Sequence, residues 1–175
     1  MYNHVFVAGT FDRIHKGHEM LLATAFAEGT RVTVGITPDS FVKAVKKQPV
    51  HPFEERKQGV IQWLTHRGWI DKANCIAIVD QYEPAASDPT IDALVVTAHN
   101  RKTGEEINSK RKQKGLSELT LIEVPLVSAQ DGAPISSTRM RNGEIDATGK
   151  FLMPEAMRGE LGKPLGTLLP SAVVT

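Results

Sequence analysis

Five short apolar runs rich in β-branched residues recur along the chain, and between them the hydrophobic period changes from that of a strand to that of a helix. The runs are HVFVAG (4–9), RVTVGIT (31–37), CIAIVD (75–80), ALVVTA (93–98) and LTLIEVPLV (119–127). HEMLLATAFAEG (18–29) follows the first, with Leu21 one turn from Ala25 and Leu22 one turn from Phe26, and Gly29 is expected to close it as a left-handed cap. Pro52 opens a second helical stretch, PFEERKQGVIQWLTHRG, acidic in its first turn and ending at Gly68. Thr103 and Glu106 form a capping-box pattern ahead of INSKRKQKG, and a last helix is expected to start near Ser136 or Ser137. CIAIVD and ALVVTA both read as interior strands, and the fifth run is expected to end near Pro125. Strands that alternate with helices require a parallel sheet covered on both faces. The expected architecture is therefore α/β, a doubly wound parallel five-stranded sheet, with ligands bound beyond the carboxyl ends of its strands.

Composition narrows the possible partners. The chain has 175 residues, enough for one domain with a real core, and 21 Lys and Arg against 20 acids leave a formal charge of +1. No global field favours nucleic acid or an anionic membrane, so neither is an expected partner. No apolar stretch approaches the roughly 20 residues that cross a bilayer, and a cytoplasmic protein is expected. Cys75 is the single cysteine and, flanked by Ile76, reads as a buried thiol rather than a nucleophile. Residues 1–149 are assigned to the domain. The tail 150–175, with Pro154, Pro164 and Pro170, is expected to be loosely ordered or packed on it.

Chemistry concentrates where the first strand gives way to its helix, in GTFDRIHKGH (9–18). Gly9 would let the backbone turn sharply, Gly17 would leave room at the helix start, and the unpaired N–H groups of a first helical turn attract anions. His15 and His18 can add hydrogen bonds, and charge when protonated, to phosphate oxygens. A zinc site is the weaker reading, because only Asp12 or Glu19 lies nearby as a further ligand. PISSTRMR (134–141) supplies a second polar helix start, where Ser136, Ser137 and Thr138 offer hydroxyls and Arg141 can reach the same anion. The pair of motifs points to phosphate binding.

An HxGH after the first strand with an ISSTxxR after the last resembles the nucleotidylyltransferase superfamily, whose Rossmann-like domain transfers a nucleoside monophosphate from a triphosphate. Residues 105–146 further resemble the pantetheine-phosphate adenylyltransferases of archaea and eukaryotes, in which an I/V-N-x-x-R-x-x-x-G-L segment, here from Ile107 to Leu116, precedes the ISSTxxR helix. PFEER and SDPTIDALVV extend the likeness over most of residues 4–146. TAHNRKTG stands where that branch usually has an S-x-E-T-like segment.

The resemblance implies transfer of the adenylyl group of ATP to 4'-phosphopantetheine, giving dephospho-coenzyme A and pyrophosphate. His18 would donate to the α-phosphate in the transition state, with His15 on the nucleotide phosphates. Gly9, Phe11, Gly17, Ser136, Ser137, Thr138 and Arg141 would complete the ATP site. Thr10, with the Phe11 backbone, would position the acceptor phosphate, and Asn108 and Arg111 are assigned to the acceptor by the family segment alone. A mobile cation would come from DSFVKAVKK, with Lys43 preferred over Lys46 and Lys47. Mg²⁺ would arrive with ATP, and the protein would be a monomer or a small homo-oligomer. Within the superfamily, a nicotinamide mononucleotide acceptor is the alternative. Trp63 and Trp69, on or beside the second helix, would lie away from the strand ends where its ring would stack. Outside it stand a regulatory module that binds nucleotide without turnover and an RNA-binding module using the basic segment 101–114. The latter lacks interleaved aromatics.

Overall fold

The computed structural model describes residues 1–45 and 49–152. Five strands, β1 (Tyr2–Gly9), β2 (Gly29–Ile36), β3 (Ala73–Ala77), β4 (Ala93–Val96) and β5 (Thr120–Glu123), pair in parallel in the order β3-β2-β1-β4-β5. The helices are α1 (Lys16–Glu28), α2 (Asp39–Val45), α3 (Phe53–His66), α4 (Arg101–Gln113) and α5 (Ser137–Arg141). The expected doubly wound sheet is present. Val5 and Val7 join a core that also holds Leu22 and Phe26 of α1 and Val60 and Leu64 of α3, whereas Phe6 packs on the other face with Leu94, Val96 and Ile107 of α4. Successive side chains of a strand point to opposite faces, so a strand covered on both sides must be apolar throughout, and VFV is.

The chain builds β1, β2 and β3 outward in one direction and then returns to place β4 on the other side of β1. Adjacent crossovers diverge at that reversal and leave a crevice beyond the carboxyl end of β1. The segment 9–18 leaves the sheet there.

Three local expectations are corrected. Gly29 is not a left-handed cap: its φ is −110°, and it opens β2 in register with Tyr2 while its N–H bonds Ala25. Sheet pairing takes precedence over the helix stop. Thr103 and Glu106 do not cap α4, which begins at Arg101 after Asn100, so both lie inside the helix. Asn100 Oδ1 instead accepts from Thr97 N at 2.7 Å, and Glu106 accepts from the Tyr82 hydroxyl at 3.0 Å. The third run is an edge strand, since β3 pairs with β2 alone; Asn74 and Ala77 are exposed. Cys75 is half-buried there, and burial pushes its thiol pKa up. The described start of the tail is bonded to the domain, with Phe151 N on Gln130 Oε1 and Leu152 N on Glu144 O; the rest of the expected tail, and Lys46 and Lys47, lie outside the described residues.

Candidate active site

The turn after β1 is held from within. Gly9 O accepts from Thr37 N at 3.1 Å and Thr37 Oγ1 at 3.2 Å, joining the ends of β1 and β2. Phe11 carries a left-handed φ of 51°, and its buried ring folds back over Gly9, where a Cβ would stand 3.0 Å from ring carbons. Gly9 is thus required by the packing of Phe11. Arg56 of α3 is 1% exposed and reaches under the turn: Nη1 donates to Thr10 O at 2.9 Å and Thr37 O at 2.8 Å, Nε to His51 O at 2.8 Å, and Nη2 to Asp39 Oδ1 at 3.0 Å. One guanidinium satisfies three backbone carbonyls, that of Thr37 fully buried, and ties the turn to the start of α3.

His15 is the N-cap of α1, and its Nδ1 accepts from Gly17 N at 3.0 Å and His18 N at 3.3 Å. An accepting Nδ1 carries no proton, so the neutral ring presents its N–H at Nε2. Burial lowers the His15 pKa to about 4, which makes it an uncharged donor near neutral pH. Gly17 has its own packing reason, since a Cβ there would lie 2.9 Å from His15 Cε1.

The His18 ring stacks on that of His15 at 3.7 Å between centroids. Its Nδ1 lies 2.9 Å from Arg13 O, and a carbonyl only accepts, so Nδ1 holds a proton. Donation from Nε2 as well requires the imidazolium, a form that an anion nearby favours. With His15 neutral, that charge meets no like charge in the stacked ring.

The second motif reaches the same place. Ser136 caps α5, its side chain accepting from Arg139 N at 3.2 Å, and Ser137 is buried behind it. Arg139 is spent on Asp131 and Glu144. Arg141 donates from Nη1 to Asp12 Oδ2 at 2.6 Å and from Nη2 to Thr138 Oγ1 at 3.1 Å, while Lys16 N donates to Ala147 O at 3.0 Å. Residues at both ends of the domain therefore share one corner.

Asn108 and Arg111 are not part of that corner, which corrects their placement with the acceptor. Arg111 is 2% exposed, and its guanidinium donates to Ala85 O, Asp88 O, Ile91 O and Ser117 O. Asn108 exchanges two hydrogen bonds with the Leu119 backbone. Ile91 and Leu119 immediately precede β4 and β5, at the amino end of a parallel sheet, whereas the corner lies beyond its carboxyl end. The two side chains fasten α4 and the loops before β4 and β5. Lys43 is exposed on α2.

Sequence reading missed Arg56 and His51 and weighed Asp12 only as a metal ligand. The signal for Arg56 was its spacing, in phase with Val60 and Leu64 on the buried face of α3. An open cleft of about 470 Å³ separates the turn from α3, walled by Arg13, Ile14, Gln62, Trp63 and His66 among others, but not by His15, His18 or Arg141. Trp63 therefore stands closer to the turn than its position in the second helix suggested.

A parallel sheet with this reversal, bearing at its carboxyl end a histidine-capped helix and the ISSTxxR turn, defines a nucleotidylyltransferase-type domain. The family model described as cytidylyltransferase-like matches residues 6–143. The phosphopantetheine adenylyltransferase of Methanopyrus kandleri is 39% identical over 83% of this chain and 92% of its own length. That of Methanothermobacter thermautotrophicus is 38% identical over 91% and 94%. The chain belongs to the cytidylyltransferase-like family and, within it, to the phosphopantetheine adenylyltransferases. Among solved structures, a protein of unknown function from Archaeoglobus fulgidus superposes with a TM-score of 0.63 at 28% identity, covering 69% of this chain and 88% of that one. A lipopolysaccharide core biosynthesis protein from Thermoplasma volcanium shares the fold, with a TM-score of 0.57 at 19% identity over 70% and 95% of the two chains.

Proposed function

We propose that the protein transfers the adenylyl group of ATP to 4'-phosphopantetheine, releasing pyrophosphate and forming dephospho-coenzyme A. One observation carries the reading: both phosphate motifs meet in one corner, through Arg141 and Asp12, in a chain 38% identical over 91% of its length to a named phosphopantetheine adenylyltransferase. An acceptor phosphate is already a nucleophile, so the protein needs no general base. It has to align that oxygen with the α-phosphorus and stabilise the charge on the transferring group. The attacking oxygen bonds to the α-phosphorus as the bond to the β-bridging oxygen breaks, and pyrophosphate leaves with that electron pair.

In this reading the His18 imidazolium donates from Nε2 to the α-phosphate as charge gathers, and neutral His15 donates from its own Nε2. Ser136, Ser137, Thr138 and Arg141 take the departing phosphates; Thr10 and the Phe11 backbone take the acceptor's phosphate; Lys43 supplies a mobile cation. Gly9 and Gly17 serve by admitting the rings of Phe11 and His15. Among the described residues there is no cluster of three or more His, Cys, Asp or Glu suited to hold a metal, and Asp12 is committed to His51 and Arg141. Mg²⁺ arriving with ATP would neutralise part of the phosphate charge.

Because Trp63 lines the cleft beside the turn, aromatic placement no longer argues against a nicotinamide ring, and the relatives decide the acceptor. The protein is proposed to be cytoplasmic and a monomer or small homo-oligomer. Among the described residues no helix is long and apolar enough to cross a membrane. The test is competition in one vessel between 4'-phosphopantetheine and nicotinamide mononucleotide with ATP and Mg²⁺. The expected preference in kcat/KM for phosphopantetheine is about 100-fold or more. Preferential formation of NAD would discard the acceptor assignment, and absence of turnover with either would leave the regulatory-module reading.

A further inference from the structure

We infer that Asp12, braced by His51, is a positioning residue that aims Arg141 at the pyrophosphoryl half of ATP, an inference that rests on the phosphate site proposed above. The Asp12 side chain has no solvent exposure, yet both its oxygens are engaged. Oδ1 accepts from His51 N and His51 Nδ1, both at 2.8 Å, and Oδ2 accepts from Arg141 Nη1 at 2.6 Å. Burial works against the charged form, but the donors of His51 and then Arg141 outweigh it and hold the carboxyl below its ordinary range. His51 is itself fixed, since its carbonyl accepts from Arg56 Nε at 2.8 Å and Arg56 also holds Thr10 O. The line Arg56, His51, Asp12, Arg141 thus runs from the buried face of α3 to the far motif.

Two opposing effects follow from a carboxylate at an anion site. Its charge offsets part of the Arg141 charge and so weakens attraction for phosphate. Its bond also holds a long side chain in one orientation before the ligand arrives, so less rotamer freedom is lost on binding. The geometry favours orientation as the larger effect, because Asp12 is assigned oxygen by oxygen: two donors face Oδ1 and one faces Oδ2. In Asp12→Asn the amide oxygen would stay with the two His51 donors and the amide N–H₂ would face Arg141 Nη1, donor against donor. Arg141 would be turned away while the turn kept its bonds to His51.

The experiment is calorimetric titration of pyrophosphate and of adenosine monophosphate, with Mg²⁺ present, into the wild type, Asp12→Asn, His51→Ala, Arg141→Ala and both double variants with Arg141→Ala. Asp12→Asn is expected to weaken pyrophosphate about tenfold or more and to change adenosine monophosphate by less than about twofold, as expected for one lost charge-assisted bond. On an Arg141→Ala background it should add less than about twofold, because its effect passes through that guanidinium. In steady-state assays KM for ATP rises and KM for phosphopantetheine does not. His51→Ala, which changes a side chain 41% exposed, should reproduce the pattern about threefold and keeps the cycle available if Asp12→Asn fails to fold. Equal weakening of both ligands, tighter pyrophosphate binding, or an undiminished effect without Arg141 would overturn the inference. A wild type that binds pyrophosphate yet does not adenylylate phosphopantetheine would refute the acceptor and leave this cycle intact.

Discussion

Lowering the pH should destabilise the protein through His15, and replacing it with asparagine should remove that sensitivity. His15 is 6% exposed, and burial lowers its pKa from 6.5 to about 4. Between those values the unfolded chain binds a proton that the folded chain refuses, so acid favours unfolding. The contribution of neutral His15 is complete above the unfolded pKa, is lost as pH falls from 6.5 toward 4, and levels off below that. Applying linkage to the two values gives a loss of about 2 kcal/mol between pH 7 and 5, rising to about 3 at pH 4. Asparagine can take over the cap to Gly17 N and His18 N without titrating. Urea unfolding at pH 7 and 5 is the assay. The wild type should lose about 2 kcal/mol more than His15→Asn at an unchanged slope, equivalent to about 4–8 °C in Tm for a chain of this size. His4 also has its pKa lowered by burial, and being common to both proteins it cancels in the comparison. Identical pH dependence in the two proteins would refute the claim that His15 is held neutral.

His18→Ala should lower kcat by about 100-fold while ATP binding changes little, as for the loss of one donor to the transition state; unchanged single-turnover kinetics would remove it from the mechanism. Arg141→Ala should raise KM for ATP and weaken pyrophosphate, with adenosine monophosphate unaffected in the same titrations. For Arg56→Met, chemical denaturation should report a loss of about 3 kcal/mol or more, since the carbonyls of Thr10, Thr37 and His51 lose their donors and each costs at least about 1 kcal/mol when left unpaired away from water. A change below about 1 kcal/mol would mean that water replaces the guanidinium in the cleft beside it.

What the sequence determined on its own is what local pattern encodes. Short apolar runs without alternation, interleaved with helical spacing, required a parallel sheet covered on both faces, because an interior strand such as VFV has to bury both its sides. The two phosphate motifs were legible for the same reason, as His15 and Ser136 cap helices through bonds to residues two or three positions away. Arg111 shows where that reading ends: a family segment marked it for substrate, and its phase with Gly104 and Ile107 on α4 put it in the interior instead. Gly29, read as a helix stop, became the first residue of β2 because pairing with Tyr2 outweighs a local cap. The tertiary structure alone decided the partners of Asp12, 39 residues from His51 and 129 from Arg141, and the charge state of His15. A hydrogen bond over such a span has no period in the sequence, and a pKa set by burial exists only once the chain has excluded water.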